Sequence, residues 1–306
     1  MNLPSTGAPA AAPRLRASDF SPGILRLFDR YVHGDVSRRE FLDAAQRLLG
    51  SAAAATATLA ALSPSFASAQ QVKPDDPRIS TRRQRFDSPA GHGTVRGLLA
   101  APAQARGPLP TVLVVHENRG LNPHIEDIAR RLAVEGFLAF APDALDSLGG
   151  YPGDEDRARE LFPKLEPAKV RADFIAAAQA IRALPQSNGR LGVVGFCFGG
   201  SIANFLATQL PELQVAVPFY GSQPPVEDVP RIQAELLLHY AGQDERINAG
   251  WPRYEAALRA AGVRYEAHVY EGTQHGFNND TTPRFDAQAA ALAWERTLAL
   301  FRARLG

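Results

Sequence analysis

The chain has 306 residues, of which 45% are hydrophobic and 21% charged, as is typical of a globular protein. Its 33 basic and 32 acidic residues give a formal net charge of +1, so the composition gives no indication of a nucleic-acid partner. The one cysteine, Cys197, excludes an internal disulfide framework and a cysteine-rich zinc site. The histidines show no metal-ligand spacing, so we expect neither a metal nor a cofactor.

Residues 1–80 differ in composition from the rest of the chain. Residues 1–36 begin with a stretch rich in Ala, Pro and Ser, which predicts a disordered extension. Residues 37–69 carry Arg38-Arg39 before Phe-Leu, an alanine-rich segment and an Ala-Ser-Ala site, the three parts of an export signal. The paired arginines resemble the twin-arginine type, which predicts transfer to the periplasm by the twin-arginine machinery and cleavage after Ala69.

An amphipathic helix is the alternative for residues 37–69. Ser37 and Glu40 have the spacing of a capping box, and such a helix would run to about Ala61 in a cytoplasmic protein. The apolar run of 15 residues at 48–62 is mostly alanine. Because a membrane span needs about 20 strongly apolar residues, we expect no stable span.

After a predicted linker at residues 70–85, strands and helices alternate through residues 86–306. The predicted strands are 95–99, 111–116, 137–141, 191–196, 215–220, 236–240 and 265–270. Three predicted helices cover 168–184, 251–261 and 285–304, and two more begin at Pro123 and Gly199. This alternation predicts an α/β fold, with a mostly parallel central sheet and helices on both faces. Ligands of such sheets bind beyond the carboxyl ends of the strands.

Residues 195–200 read Gly-Phe-Cys-Phe-Gly-Gly, between a buried strand and a helix. This is the pattern in which glycines flank a nucleophile, because a sharp strand-to-helix turn leaves no room for a Cβ. The turn places Cys197 at a helix start, whose dipole favours a thiolate. We therefore interpret Cys197 as a nucleophile rather than as a small core residue.

Two further residues follow their own strands in the chain order of the α/β-hydrolase triad. Asp244 comes shortly after the strand at 236–240, and His275 after the strand at 265–270. In this interpretation the thiolate attacks a carbonyl carbon, His275 exchanges the proton, and Asp244 orients the imidazole.

A fourth position lies at the end of the strand 111–116, where the sequence reads His-Glu-Asn-Arg-Gly. A glutamate at a strand end beside a nucleophile is costly unless it is paired. We therefore expect Glu117 to contact Arg119, His275 or the thiol, the alternative being a solvated loop carboxylate. The backbone N–H of Phe198 is expected to point at the developing oxyanion.

These motifs resemble those of the dienelactone hydrolase family, whose Cys-Asp-His triad lies on an α/β-hydrolase fold. The resemblance covers residues 86–306 and rests on residues 116–120, 195–200, 242–244 and 275–277. It implies that Cys197 is the nucleophile, His275 the base, Asp244 its partner, Asn118 and Phe198 the oxyanion amides, and Tyr220 a pocket residue. It also implies that Glu117 helps to activate the cysteine when substrate binds.

The resemblance implies a cofactor-free hydrolase of small esters or lactones, acting as a monomer or a small homo-oligomer. In the family an arginine soon after the histidine holds a substrate carboxylate, whereas here no arginine follows before Arg284. This difference argues against dienelactone itself, and Arg119 is the alternative anchor or a partner of Glu117. Two other functions are a general carboxylesterase or thioesterase of this fold, and a non-catalytic redox-sensing thiol protein. The lack of a long insertion before Asp244 predicts a small open pocket.

Overall fold

The computed structural model describes residues 14–306, in which eight strands form one sheet in the order β1-β2-β4-β3-β5-β6-β7-β8. The strands are β1 (Ile79–Ser88), β2 (Gly93–Pro102), β3 (Leu109–Val115), β4 (Leu138–Pro142), β5 (Ser187–Phe196), β6 (Val215–Phe219), β7 (Glu235–Gln243) and β8 (Tyr265–Gln274). β1 and β2 are antiparallel to their neighbours, and the others run parallel. The predicted α/β fold with a mostly parallel sheet is confirmed.

Helices cover both faces of this sheet. They are α1 (Pro22–His33), α2 (Arg38–Leu49), α3 (Ala52–Leu62), α4 (Phe66–Ala69), α5 (Pro123–Val134), α6 (Glu155–Leu161), α7 (Pro167–Arg182), α8 (Phe198–Gln209), α9 (Glu245–Asn248), α10 (Trp251–Ala261) and α11 (Ala287–Leu305). Side chains alternate along each buried strand, so Val112 and Val114 join the core under α5 and α11. Leu113 and Val115 join the core under α7 and α8.

The sheet begins earlier in the chain than expected. β1 occupies Ile79–Ser88, most of which lies in the predicted linker at residues 70–85, and pairs along its full length with β2. β1 is an edge strand with Arg82 and Arg83 exposed, so it lacks the apolar run that marks a buried strand. β8 extends four residues beyond its predicted end because Gln274 pairs with Gln243 across a register shift.

The N-terminal helices correct the prediction that residues 1–36 are disordered. Residues 1–13 lie outside the described part of the chain, but Pro22–His33 form α1. Ser21 caps the start of α1, and Gly34 ends it in the left-handed conformation. Ile24, Leu25, Phe28 and Tyr31 have helical spacing and are buried with Phe41 of α2 and Leu59 of α3. The Ala-, Pro- and Ser-rich composition of the first residues therefore does not extend to α1.

The segment 37–69 forms three helices rather than one. The predicted capping box is present, because Ser37 accepts from the N–H of Glu40 and Glu40 accepts from the N–H of Ser37. The helix breaks at Gly50, whose φ of 80° is left-handed, and α3 starts at Ala52. Within residues 14–306, no single helix has the length and apolar character to cross a membrane. Only together do α2 and Ala52–Ala69, which meet at a bend of 117°, have a sufficient length and composition.

Candidate active site

The turn from β5 to α8 holds Cys197 in an uncommon backbone conformation, with φ of 54°. A Cβ added to Gly195 would lie 1.9 Å from the carbonyl oxygen of Gly199, and a Cβ added to Gly199 would lie 2.2 Å from that of Val115. Only glycine fits at both positions, so the strand and the helix can approach closely enough to form the sharp turn. Cys197 is thereby presented at the first turn of α8, partly exposed and beyond the carboxyl end of β5.

The structure brings His275 and Asp244 together beside this turn. Nδ1 of His275 lies 2.5 Å from Oδ2 of Asp244, and both side chains are buried. Asp244 also accepts from the N–H of Ile247 and so caps α9. Nε2 of His275 is buried without a hydrogen-bond partner in residues 14–306, and a ring nitrogen of His275 lies within 4.8 Å of Cys197 Sγ. The three residues that the sequence pattern grouped are neighbours in space.

The charges of the site favour an ionised sulfur. Burial alone would raise the pKa of Cys197, but the positive charge of His275 and the imidazole of His33 lower it to about 6. Burial alone would lower the pKa of His275, but the Cys197 charge and the hydrogen bond to Asp244 raise it to about 9. Sulfur and imidazole therefore form an ion pair near neutral pH.

Glu117 has a different partner from those expected. Its Oε2 accepts a hydrogen bond of 2.8 Å from Nδ2 of Asn279, in the loop after β8. Arg119 is buried and turns away, donating to the carbonyl oxygens of Asn118 and Val32 at 2.9 and 3.0 Å. The expected pairing of Glu117 with Arg119 was wrong. The Arg119 guanidinium donates instead to the carbonyl oxygen of Val32, which belongs to α1, a helix that was not predicted.

Of the two backbone amides expected at the oxyanion, that of Phe198 directly follows the nucleophile, and that of Asn118 lies in the loop after β3. Phe198 is the first residue of α8, so its N–H has no acceptor within the helix. Asn118 follows β3, and its side chain donates to the carbonyl oxygen of Val32 at 2.9 Å. Tyr220, with φ of 37°, packs its ring 4.9 Å from that of His275.

A cavity of about 310 Å³ adjoins the loop after β3. Glu117, Asn118 and Arg119 form one wall of it, and the loop after β8 contributes Arg284. The remaining lining includes Phe28, Tyr31 and Val32 of α1, Phe66 of α4 and Glu155 of α6. Neither Cys197 nor His275 lines this cavity, whereas Asp244, His275 and Arg284 line a second cavity of about 630 Å³. The N-terminal helices cover part of both cavities, which the sequence analysis did not predict.

His33, at the end of α1, is the site residue that the sequence analysis missed. Its Nε2 lies 3.7 Å from Cys197 Sγ, and its ring centroid lies 4.8 Å from that of His275. Asp29, one turn earlier, approaches Nδ1 at 3.4 Å. The i,i+4 spacing of Asp29 and His33 on an apolar-patterned helix was the available signal.

His33, Cys197 and His275 offer two nitrogen atoms and one sulfur atom within 4.8 Å of one another. Zn²⁺ takes such ligands in proteins. However, Arg246 donates to Nε2 of His33 at 2.9 Å, the atom that a metal would need. In this arrangement the guanidinium occupies that lone pair, so His33 does not present the atom to a metal.

Comparisons with known proteins agree with this fold. The Dienelactone hydrolase family model matches residues 95–305, and a YqhI-like model matches residues 12–50, which include α1 and α2. An Escherichia coli (strain K12) protein named "Putative carboxymethylenebutenolidase" is 36% identical over 218 residues, covering 66% of this chain and 80% of that protein. Another protein of that strain, "Putative hydrolase fragment YghX", is 54% identical over 106 residues, covering 35% of this chain and 91% of that protein.

Solved structures give the same assignment. The crystal structure titled "Putative Dienelactone Hydrolase", from Klebsiella pneumoniae subsp. pneumoniae MGH 78578, has a TM-score of 0.65 and 31% sequence identity. The similarity covers 73% of this chain and 99% of that chain. The chain belongs to the dienelactone hydrolase family of carboxylic ester hydrolases, in the α/β-hydrolase superfamily.

Proposed function

We propose that this protein hydrolyses small esters or lactones through Cys197, His275 and Asp244, with a thioester intermediate. The observation that carries the proposal is the buried His275–Asp244 pair beside a cysteine held in a glycine-framed turn. The thiolate attacks the carbonyl carbon, and the N–H groups of Asn118 and Phe198 stabilise the oxyanion. His275 gives its proton to the leaving oxygen as the thioester forms. His275 then takes a proton from the attacking water, and the acid product leaves as the thiolate is restored.

Glu117 is proposed to act beside the nucleophile during the reaction, although it does not contact Cys197 before substrate binds. Asn279 holds its carboxylate in the free protein, at the edge of the cavity. A substrate that displaces Asn279 would release this carboxylate toward the reacting groups. Glu117→Gln leaves the side chain the same size, so it can still contact Asn279, but it removes the negative charge. We therefore expect the fold to persist and kcat to fall.

Arg284 is the better candidate for holding a negatively charged substrate group. It lines the cavity, its Nη1 donates to Asp29 at 3.5 Å, and its Nε is buried without a hydrogen-bond partner in residues 14–306. Arg119 lines the same cavity, but its guanidinium already donates to two carbonyl oxygens. We therefore propose small esters or lactones that carry a carboxylate, with Arg284 as the partner of that carboxylate.

The function is tested by assaying purified protein with p-nitrophenyl esters, an unsaturated lactone carrying a carboxylate, and an acyl thioester. We expect hydrolysis that Cys197→Ala and His275→Ala each reduce by about a hundredfold or more, with unchanged thermal unfolding. Preference for the thioester would favour the thioesterase alternative. Thiol oxidation without hydrolysis, insensitive to loss of His275, would favour the redox-sensing alternative and contradict the proposal.

For localisation we propose that the working enzyme retains residues 14–69, as in the cytoplasmic alternative. The support is that α1 reaches the nucleophile and that Arg38 of the paired arginines is bound to Asp156 of α6 at 2.5 Å. Export by the twin-arginine machinery with cleavage after Ala69 is the competing proposal, and it would remove α1 through α4 from the mature enzyme.

A further inference from the structure

The strongest feature outside the triad is the position of α1 against the nucleophile. His33 is the last residue of α1, and its Nε2 lies 3.7 Å from Cys197 Sγ. The sulfur thus has two imidazoles near it, because a ring nitrogen of His275 also lies within 4.8 Å. We propose that His33, held by Asp29, is a second imidazole partner of Cys197 and keeps its sulfur as a thiolate before substrate binds. This inference rests on the proposed role of Cys197 as nucleophile.

The contacts of His33 define which of its nitrogen atoms faces the sulfur. Nδ1 lies 2.7 Å from the carbonyl oxygen of Asp29, so it carries a hydrogen and donates to that oxygen. The carboxylate of Asp29 also lies 3.4 Å from Nδ1. Nε2 is therefore the atom whose protonation can change, and it is the atom beside Cys197. As in the pair of His275 with Asp244, an aspartate contacts Nδ1, but here the hydrogen bond goes to its backbone carbonyl oxygen.

Charged groups from several elements face His33. Asp29 lies on α1, Arg246 on α9, and His275 after β8, while Arg284 approaches Asp29 at 3.5 Å. Arg246 donates to Nε2 at 2.9 Å, which requires a neutral His33. Since Arg246 is exposed, its side chain can turn into solvent when Nε2 is protonated and donates to the thiolate.

The balance of these groups favours the protonated form. Burial acts to lower the pKa of His33, but the hydrogen bonds with Asp29 and Cys197 raise it to about 10. Once Arg246 has turned into solvent, His33 is a cation beside Cys197 at neutral pH, and it lowers the free energy of the thiolate relative to the thiol. Because Asn279 holds Glu117, activation of the sulfur in the free enzyme does not depend on that carboxylate.

The proposal is tested by measuring the iodoacetamide alkylation rate of the single cysteine against pH in the full chain. Wild type is compared with His33→Gln, Asp29→Asn and the control His268→Gln, which removes a histidine paired at 2.8 Å with Glu266 on β8. We expect His33→Gln to raise the alkylation midpoint by about one pH unit, making the reaction about tenfold slower at pH 5. Asp29→Asn should shift it less in the same direction, and His268→Gln should not shift it.

Two results would overturn the proposal. One is an alkylation midpoint in His33→Gln equal to that of wild type. The other is a higher kcat/KM in His33→Gln, which would mean that the imidazole blocks substrate from the sulfur. Circular dichroism identifies an unfolded His33→Gln, in which case the Asp29→Asn midpoint decides. The alkylation readout does not use turnover, so it is independent of the proposed function, which fails instead if fully alkylated protein still hydrolyses ester.

Discussion

The backbone of Cys197 sets the direction of its sulfur. A non-glycine residue at φ of 54° costs free energy of order 1–3 kcal/mol, which the surrounding packing must supply. The close contacts of Gly195 and Gly199 provide that packing, since β5 and α8 meet there without an intervening side chain. The same turn places the sulfur between His275 and His33, so local strain and thiol ionisation have a common origin.

We expect Gly195→Ala to destabilise the protein and reduce activity together. Its Cβ would lie 1.9 Å from a backbone oxygen, so β5 or α8 must shift, at a cost of about 2 kcal/mol or more. Chemical denaturation and kcat/KM measure the two effects. Gly107→Ala is the control, because its Cβ would meet nothing within 4 Å. Unchanged kcat/KM in Gly195→Ala would show that the sharp turn is not needed.

The activity should have a bell-shaped dependence on pH. Cys197, with a pKa lowered to about 6, must lose its proton, so kcat/KM falls as the pH drops below that value. His275, with a pKa raised to about 9, must keep its proton for the leaving group, so kcat/KM falls again above that value. The two limbs report the coupled pair. A rate that still rises between pH 7 and pH 9 would indicate a neutral thiol at rest.

At the scale of elements, the loop after β8 connects the catalytic edge of the sheet to its neighbours. Asp280 accepts from Arg131 of α5 at 2.6 Å and from Gln71 at 2.8 Å. His124 also approaches Asp280 at 3.2 Å. Asn279, the residue before Asp280, donates a hydrogen bond to Glu117. The buried carboxylate of Asp280 therefore fixes the loop that positions Glu117.

Asp280→Asn should lower the free energy of unfolding by about 2 kcal/mol at pH 7, because Arg131 loses one of its two carboxylate partners. Burial alone would raise the pKa of Asp280, but His124 and Arg131 lower it to about 2. Its contribution is therefore present above its unfolded pKa of about 4 and lost as the pH falls through about 2. Urea denaturation measures the difference, which should shrink on acidification. The exposed pair of Glu160 with Arg157 supplies the control Glu160→Gln, and an equal effect there would contradict the account.

The sequence predicted the elements that bury apolar side chains and the loops that follow them. Cys197, Asp244 and His275 were grouped because each follows a predicted strand, and parallel strands bring their carboxyl ends to one edge. β1 was missed because an exposed edge strand has no apolar run. The partners of Glu117 and Arg119 could not be predicted, because they come from segments 162 and 87 residues away in sequence.

At the scale of the whole molecule, the N-terminal helices are tied to the hydrolase domain on several sides. Tyr31 donates to Asp156, and the N–H of Ser65 donates to the carbonyl oxygen of Thr281 at 2.8 Å. The carbonyl oxygen of Val32 accepts hydrogen bonds from both Asn118 and Arg119, in the loop after β3. Loss of these helices would therefore unpair buried polar groups beside the active site.

We expect the mature protein to retain the N-terminal helices. N-terminal sequencing of protein from the cytoplasmic and periplasmic fractions should find a start before Ser21, the cap of α1. Replacing both Arg38 and Arg39 with lysine should leave the distribution between the fractions unchanged. A periplasmic form starting near Gln70 in wild type, and lost in the double lysine variant, would establish a cleaved twin-arginine signal.

The most direct test of the central claim is intact-protein mass spectrometry during turnover of a slowly hydrolysed p-nitrophenyl ester. The account predicts one acyl adduct per chain, mapped to Cys197 by peptide analysis and released by hydroxylamine as expected of a thioester. Cys197→Ala should show neither the adduct nor the hydrolysis. Hydrolysis that persists in a folded Cys197→Ala, or an adduct on another residue, would contradict the account.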